Sequence, residues 1–84
     1  SKYTGQFSEG LPEGYGVEEQ ANGVRYFGSW SNGVKEGAGT VDFGNGATYV
    51  GDFRNGFAYE GKYDWGDGRV TDSYQDEFGN WLDR

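Results

Sequence analysis

Carboxylates are the only side chains in this 84-residue chain able to trade protons near neutral pH, because it contains neither His nor Cys. Nucleophile-base pairs of the Ser-His or Cys-His kind are therefore excluded. Glu60 and Asp64 are the nearest thing to an acid-base pair, but glycoside chemistry needs two carboxyls facing each other across a cleft. A thin open sheet supplies none. Asp64, Asp67 and Asp72 gather around the turn Gly66-Asp67-Gly68, and hard cations do take oxygen ligands. Their spacing is not that of an EF-hand loop, and Asp is common in turns for backbone reasons alone. The glycines do not lead from a strand into a helix as a phosphate-cradling loop requires. The expectation is a chain with no catalytic residues, no cofactor and no metal site.

Recognition chemistry is better represented. Tyr3, Phe7, Tyr26, Trp30, Tyr49 and Phe53 recur at fixed intervals and read as core, whereas Tyr15, Phe27, Phe57, Tyr59 and Trp65 do not recur and read as exposed contact residues. Glu13 and Glu36 recur just before a glycine, and Asp42, Asp52, Glu60 and Asp64 lie further along. An aromatic groove edged by carboxylates suits a peptide or helix with Lys or Arg on its flanks. The candidate partner-binding set is therefore Tyr15, Phe27, Glu36, Phe57, Tyr59, Glu60 and Trp65.

What must position these residues is one small domain, since 84 residues support a single thin core. Only 33% of residues are apolar, which alone would point to disorder. Three Trp, seven Tyr and six Phe reverse that reading, because a narrow layer of rings buries as much surface as an aliphatic core. Fourteen acidic residues against seven basic ones give a net charge of -7. Nucleic acid and anionic lipid are disfavoured partners, and basic protein faces are favoured. No signal-like or membrane-spanning apolar run is present, and a cytoplasmic setting is favoured. The opening Ser1-Lys2, directly before the first repeated residue, reads as a trimmed segment of a longer protein.

Self-similarity organises the rest. Tyr3-Thr-Gly5-Gln-Phe7-Ser-Glu-Gly10 returns as Tyr26-Phe-Gly28-Ser-Trp30-Ser-Asn-Gly33 and as Tyr49-Val-Gly51-Asp-Phe53-Arg-Asn-Gly56, a step of 23 residues each time. Gly14-Tyr-Gly16 likewise matches Gly37-Ala-Gly39. Val24 to Trp30 alternates with a period of two, which is a strand. Asn-Gly pairs at 22-23, 32-33, 45-46 and 55-56 supply positive φ angles for two-residue hairpin turns. The reading is all-β: one antiparallel meander of hairpin repeats. Gly5, Gly28 and Gly51 are expected to seat an aromatic ring over bare backbone.

The pattern Tyr-x-Gly-x-(Trp/Phe)-x-x-Gly-x-x-x-Gly-x-Gly resembles the MORN repeat, with good matches from Tyr3 to Gly56. The resemblance implies a single-sheet scaffold module that joins proteins to each other or to membranes. The domain is expected to comprise units 3-25 and 26-48, an irregular unit 49-71, and a cap over 72-84.

After Gly56 the pattern fails. Expected glycines at 60 and 62 are Glu60 and Lys62 with Gly61 between them, and the expected turn glycine at 69 is Arg69 with Gly68 before it. Val70 and Gly79 still fall 23 residues after Ala47 and Gly56, so the third unit is expected to keep its length with a shifted hairpin. The alternative is a new unit opening early at Tyr59. The cap reads as a strand, or as a short helix begun by Asp72 or Ser73.

The favoured function is a non-catalytic interaction module for a peptide or protein with basic flanks. The rivals are a carbohydrate or cell-wall binding repeat, a small acidic inhibitor or immunity protein, and an engineered repeat protein. An unpaired edge strand at each end offers a route to self-association.

Overall fold

The computed structural model describes residues 1–83. Eight strands follow one another: β1 (Lys2–Ser8), β2 (Leu11–Glu19), β3 (Arg25–Ser31), β4 (Val34–Asp42), β5 (Thr48–Arg54), β6 (Phe57–Asp64), β7 (Val70–Gln75) and β8 (Trp81–Asp83). They form one open sheet in sequence order, and every neighbouring pair is antiparallel. At about 4.8 Å per strand, eight strands span roughly 34 Å, which accounts for most of the 40 Å long axis.

Two kinds of connection alternate. At Glu9-Gly10, Asn32-Gly33 and Asn55-Gly56 both residues have positive φ, so these are two-residue turns whose twist matches that of the flanking strands. The Asn-Gly pairs at 22-23 and 45-46 behave differently from the expectation. Only Gly23 and Gly46 have positive φ, while the Asn22 and Asn45 side chains accept hydrogen bonds from the N–H groups of Val24 and Ala47. The Asn is thereby used as an acceptor in a longer loop, closed by Gln20 N–H to Val24 O and by Phe43 N–H to Ala47 O.

Cross-strand register aligns a row of glycines on one face: Gly5, Gly16, Gly28, Gly39, Gly51 and Gly61, ending at Ser73. Beside it runs the row Tyr3, Glu18, Tyr26, Val41, Tyr49 and Tyr63. Each repeated Tyr lies over the glycines of its own hairpin. A Cβ at Gly16 would come within 2.2 Å of the Tyr3 hydroxyl, one at Gly39 within 2.5 Å of the Tyr26 ring, and one at Gly61 within 2.4 Å of the Tyr49 hydroxyl. Each phenol donates to the carbonyl three residues on: Tyr3 to Gln6 at 2.7 Å, Tyr26 to Ser29 at 2.8 Å and Tyr49 to Asp52 at 3.3 Å. The expected seats are therefore confirmed, with Gly16, Gly39 and Gly61 forming the other half of each.

Rings from successive units meet edge to face. Tyr3 packs on Trp30, Trp30 on Tyr26, Tyr26 on Phe53 and Phe53 on Tyr49, with centroids 4.9 to 5.5 Å apart. This geometry sets the positive ring edge against the negative face. Tyr26, Tyr49 and Phe53 are buried at 1%, 0% and 2% exposure, so the core is this line of rings.

Burial pushes the Tyr26 phenol from 10.0 up to about 12, against the smaller opposing effect of its bond to Ser29. A phenol whose folded-state value is raised stabilises the fold fully below its unfolded value and loses that contribution as pH rises through the folded one. The Tyr26 contribution to stability is thus expected to hold up to about pH 10 and to fall by about 2 to 3 kcal/mol toward pH 12. Urea unfolding across that range checks this, and Tyr26→Phe should remove most of the slope.

The third unit does not keep its length. In the first two hairpins one residue, Gln6 or Ser29, faces three, Glu13 to Tyr15 or Glu36 to Ala38. In the third, Asp52 pairs with Glu60 and Phe53 with Ala58, leaving Tyr59 alone as a one-residue bulge. One residue has gone, and it is the positive-φ glycine represented earlier by Gly14 and Gly37. The step from Gly16 to Gly39 is 23 residues and that from Gly39 to Gly61 is 22. Val70 accordingly takes the place of Thr48, opposite Asp64 as Thr48 is opposite Asp42, and not that of Ala47. The turn at Asn55-Gly56 is unmoved.

The cap is two strands. Asp76 accepts from the N–H groups of Phe78 and Asn80, and Gly79 has φ +85°, so the chain closes a tight loop between β7 and β8 instead of starting a helix. These bonds, that to Asn80 foremost, hold the Asp76 carboxyl below the usual range. Arg84, the last residue of the expected cap, lies outside the described residues. At the shortened step the ring following Phe53 would be residue 75, which is Gln75. Its amide instead accepts from Ala58 N–H and donates to Gly79 O. Trp81, opposite it on β8, supplies the missing ring, 4.9 Å from Tyr49 and within 5.8 Å of Tyr63 and Phe43.

Candidate functional site

Strand alternation places Thr4, Val17, Phe27, Thr40, Val50 and Lys62 in a cross-strand row on the face opposite the ring core. At its centre is a shallow depression of about 330 Å³ lined by Tyr15, Phe27, Ala38, Thr40, Val50 and Asp52. Backbone of Gly28, Gly39 and Gly51 forms its floor. The glycine row thus does two things, seating rings on one face and thinning the sheet under the other. Tyr15 is 70% exposed and Val50 56%, unusual exposure for large apolar side chains in a strand.

Of the seven residues expected to meet a partner, Tyr15 and Phe27 share this depression. Arg25 lies 5.5 Å from the Phe27 ring and pairs with Asp42 at 3.5 Å. Phe57 and Tyr59 line a separate hollow of about 180 Å³ with Arg54, Ala58, Gln75, Asp76 and Glu77, and the Arg54 guanidinium stacks 3.7 Å above the Tyr59 ring. Glu60 stands opposite Asp52 across the β5-β6 pair, at the acidic edge of the depression. It also borders a hollow shared with Lys62 and Asp72. Trp65 sits beyond the end of β6, packed on Tyr63 at 4.8 Å and beneath Arg69 at 4.7 Å, with its indole N–H donated to Thr71.

Glu36 is a brace between hairpins. Its carboxylate accepts the N–H of Asn55 at 3.2 Å, as Glu13 accepts that of Asn32 at 3.1 Å. Beside each bond a turn glycine donates to the preceding unit, Gly33 to Pro12 O and Gly56 to Lys35 O, both at 3.0 Å. The recurrence of Glu13 and Glu36 therefore reflects stacking of units. Val50, Thr40 and Ala38 were not anticipated as lining residues, whereas Asp52 was expected among the carboxylates edging the groove. Alternation around the buried Tyr49 would have identified Val50, since successive strand residues point to opposite faces.

Asp52 and Glu60 are the electrostatic oddity. Two like charges directly opposite on one face repel, and among the described residues the ion pairs are Arg25–Asp42, Lys35–Glu18, Lys62–Asp72 and Arg69–Asp67, none of which neutralises either. No group of His, Cys, Asp and Glu among the described residues has the arrangement to hold a metal ion.

A glycine-seated ring in each of the first three hairpins, a unit-to-unit brace and one open sheet define a β-hairpin repeat array. The MORN repeat family model matches residues 3–25, 26–48 and 49–58, and the chain belongs to the MORN repeat family. The last match ends one residue before the Tyr59 bulge, where the register shortens. No curated protein matches the chain. MORN repeats are generally non-catalytic modules that interact with proteins or membranes.

Proposed function

We propose that this chain is one MORN domain, its irregular third unit and cap included, that binds a protein partner by an extended peptide segment. The segment lies across the depression formed by Tyr15, Phe27 and Val50 and places a Lys or Arg against Asp52 and Glu60. The facing, unneutralised carboxylates beside an exposed apolar floor carry this reading. Such a pair costs stability in the free domain and is offset when a cation sits between them. The net charge of -7 supports a basic partner and disfavours an anionic membrane.

The test is a pull-down from lysate followed by affinity measurement with the peptide mapped from the retained protein. Asp52→Lys with Glu60→Lys is expected to weaken binding about tenfold or more at low salt, and Tyr15→Ala with Phe27→Ala by a similar factor. Glu36 is left intact because its carboxylate holds the Asn55 turn. Unchanged affinity in both double variants, or retention on polysaccharide alone, overturns the proposal.

A further inference from the structure

The Asn-Gly pairs at 22-23, 32-33, 45-46 and 55-56 share a sequence, but the fold treats their glycine nitrogens differently. In the tight turns Gly33 N–H donates to Pro12 O and Gly56 N–H to Lys35 O, both at 3.0 Å. In the loop between β2 and β3, Gly23 N–H donates to Gln20 O at 3.1 Å. Gly46 N–H, in the loop between β4 and β5, has no such acceptor among the described residues. The residue before the Asn explains the difference. Position 21 is Ala, whereas Gly44 has φ +81° and donates its own N–H to the Asp42 carboxylate at 2.9 Å. A left-handed residue at 44 reorients the peptide before it, and the Phe43 carbonyl no longer meets Gly46. Asn45 and Gly46 are both exposed. Asn45 Oδ1 accepts from Ala47 N–H at 3.0 Å, which holds its amide carbon beside the Gly46 peptide and draws electron density from it.

We propose that Asn45 is a self-modification site, converted in the folded protein to aspartate and isoaspartate through a cyclic imide. The Gly46 nitrogen attacks Asn45 Cγ, the new C–N bond replaces the Cγ–Nδ2 bond, and the Gly46 proton leaves with that amine as ammonia. Water then opens either imide carbonyl. One opening restores the main chain with an Asp, and the other routes it through Cβ and Cγ, so the loop gains a main-chain atom. At Gly23, Gly33 and Gly56 the attacking nitrogen must first give up its hydrogen bond, which slows the step roughly three- to tenfold. The Asp67-Gly68 loop has the same shape, with Gly66 at φ +83° and Trp65 N–H on Arg69 O. Hydrogen bonds from Arg69, its main-chain N–H foremost, hold the Asp67 carboxyl below the usual range, and an ionised carboxylate resists attack. The lengthened loop would be felt next door, because a Cβ at Gly66 already falls 2.6 Å from the Gly46 carbonyl.

The test is to age the full chain in mildly alkaline buffer, with and without concentrated urea, and to map Asp and isoaspartate by proteolysis and mass spectrometry. In the folded protein Asn45 is expected to convert at least about threefold faster than Asn22, Asn32 or Asn55, and urea should abolish that lead by speeding the other three. Gly44→Ala is strained at φ +81° and crowds the Gly23 carbonyl at 3.2 Å, so it should restore the Ala21 type of loop and slow Asn45 to the rate of Asn22. Three results overturn the proposal: another of the four Asn residues converting as fast as Asn45 in the folded chain, the same lead persisting in urea, or an unchanged Asn45 rate in folded Gly44→Ala.

Discussion

Gly39→Ala is expected to cost about 3 kcal/mol, a large share of the stability of a domain this size. The added methyl would fall 2.5 Å from the Tyr26 ring and hydroxyl. Tyr26 cannot yield cheaply, because it is 1% exposed and wedged between Trp30 and Phe53. Displacing it also breaks its bond to Ser29, so packing and hydrogen bonding fail together. The control is Gly46→Ala. Nothing lies within 4 Å of a Cβ there, yet φ is +95°, so that substitution should cost only about 1 kcal/mol through backbone strain. Chemical denaturation of both variants separates steric exclusion from conformational cost. If Tyr26 is first replaced by Leu, the effect of Gly39→Ala should shrink, since the two residues share one contact. Equal losses in the two glycine variants would show that ring seating is not what makes Gly39 necessary.

Trp81→Ala is expected to cost about 2 to 4 kcal/mol, a little under the cost of removing a fully buried large ring because Trp81 is only partly buried. Trp81 belongs to the last strand, three residues long, yet it packs against Tyr49, Tyr63 and Phe43 at once. It stands in for the ring the repeat would have placed at Gln75, and without it the otherwise fully buried Tyr49 is opened to water. Trp81→Phe should recover most of the loss. Phe78→Ala, three residues away at 81% exposure, should change stability by less than about 0.5 kcal/mol. Thermal melts of the three variants check the order. A Trp81→Ala protein as stable as the Phe78 variant would mean that the array does not need closing at this end.

Much of the architecture was legible because the repeat states it three times. The period, the strand alternation and the ring seats follow from Tyr-x-Gly-x-(Trp/Phe), since only glycine admits a ring flat against backbone. Two features were not. The third unit loses a residue in a bulge, and one glycine, Gly61, stands where two were expected, so counting by 23 carries the register one position too far. A one-residue slip also exchanges the faces of a strand. Trp81 was equally hidden, because it performs the task of position 75 from a neighbouring strand. As for the candidate site, Tyr15 and Phe27 come together because they lie on in-register strands of regular units. Tyr59 is the bulged residue itself and Phe57 lies two positions before it, and both line a different hollow. Glu36 recurs because it braces a turn, and recurrence by itself does not distinguish a brace from a binding group.

The strand order, β1 to β8 without a crossing, also bears on how the chain reaches this state. Each strand pairs only with its neighbours in sequence, so no long loop has to close before a native contact is made, and loop closure is the entropic barrier that slows most sheet proteins. Any hairpin can nucleate, and the sheet grows outward by adding one strand at a time. The reverse process begins at the ends, where β8 and the 59% exposed Phe7 leave the fewest contacts to break, while Tyr26, Phe53 and Tyr49 hold the middle hairpins to the last. Opening therefore proceeds inward from both edges, and the face bearing Phe27 and Val50 is the last part of the surface to lose its shape.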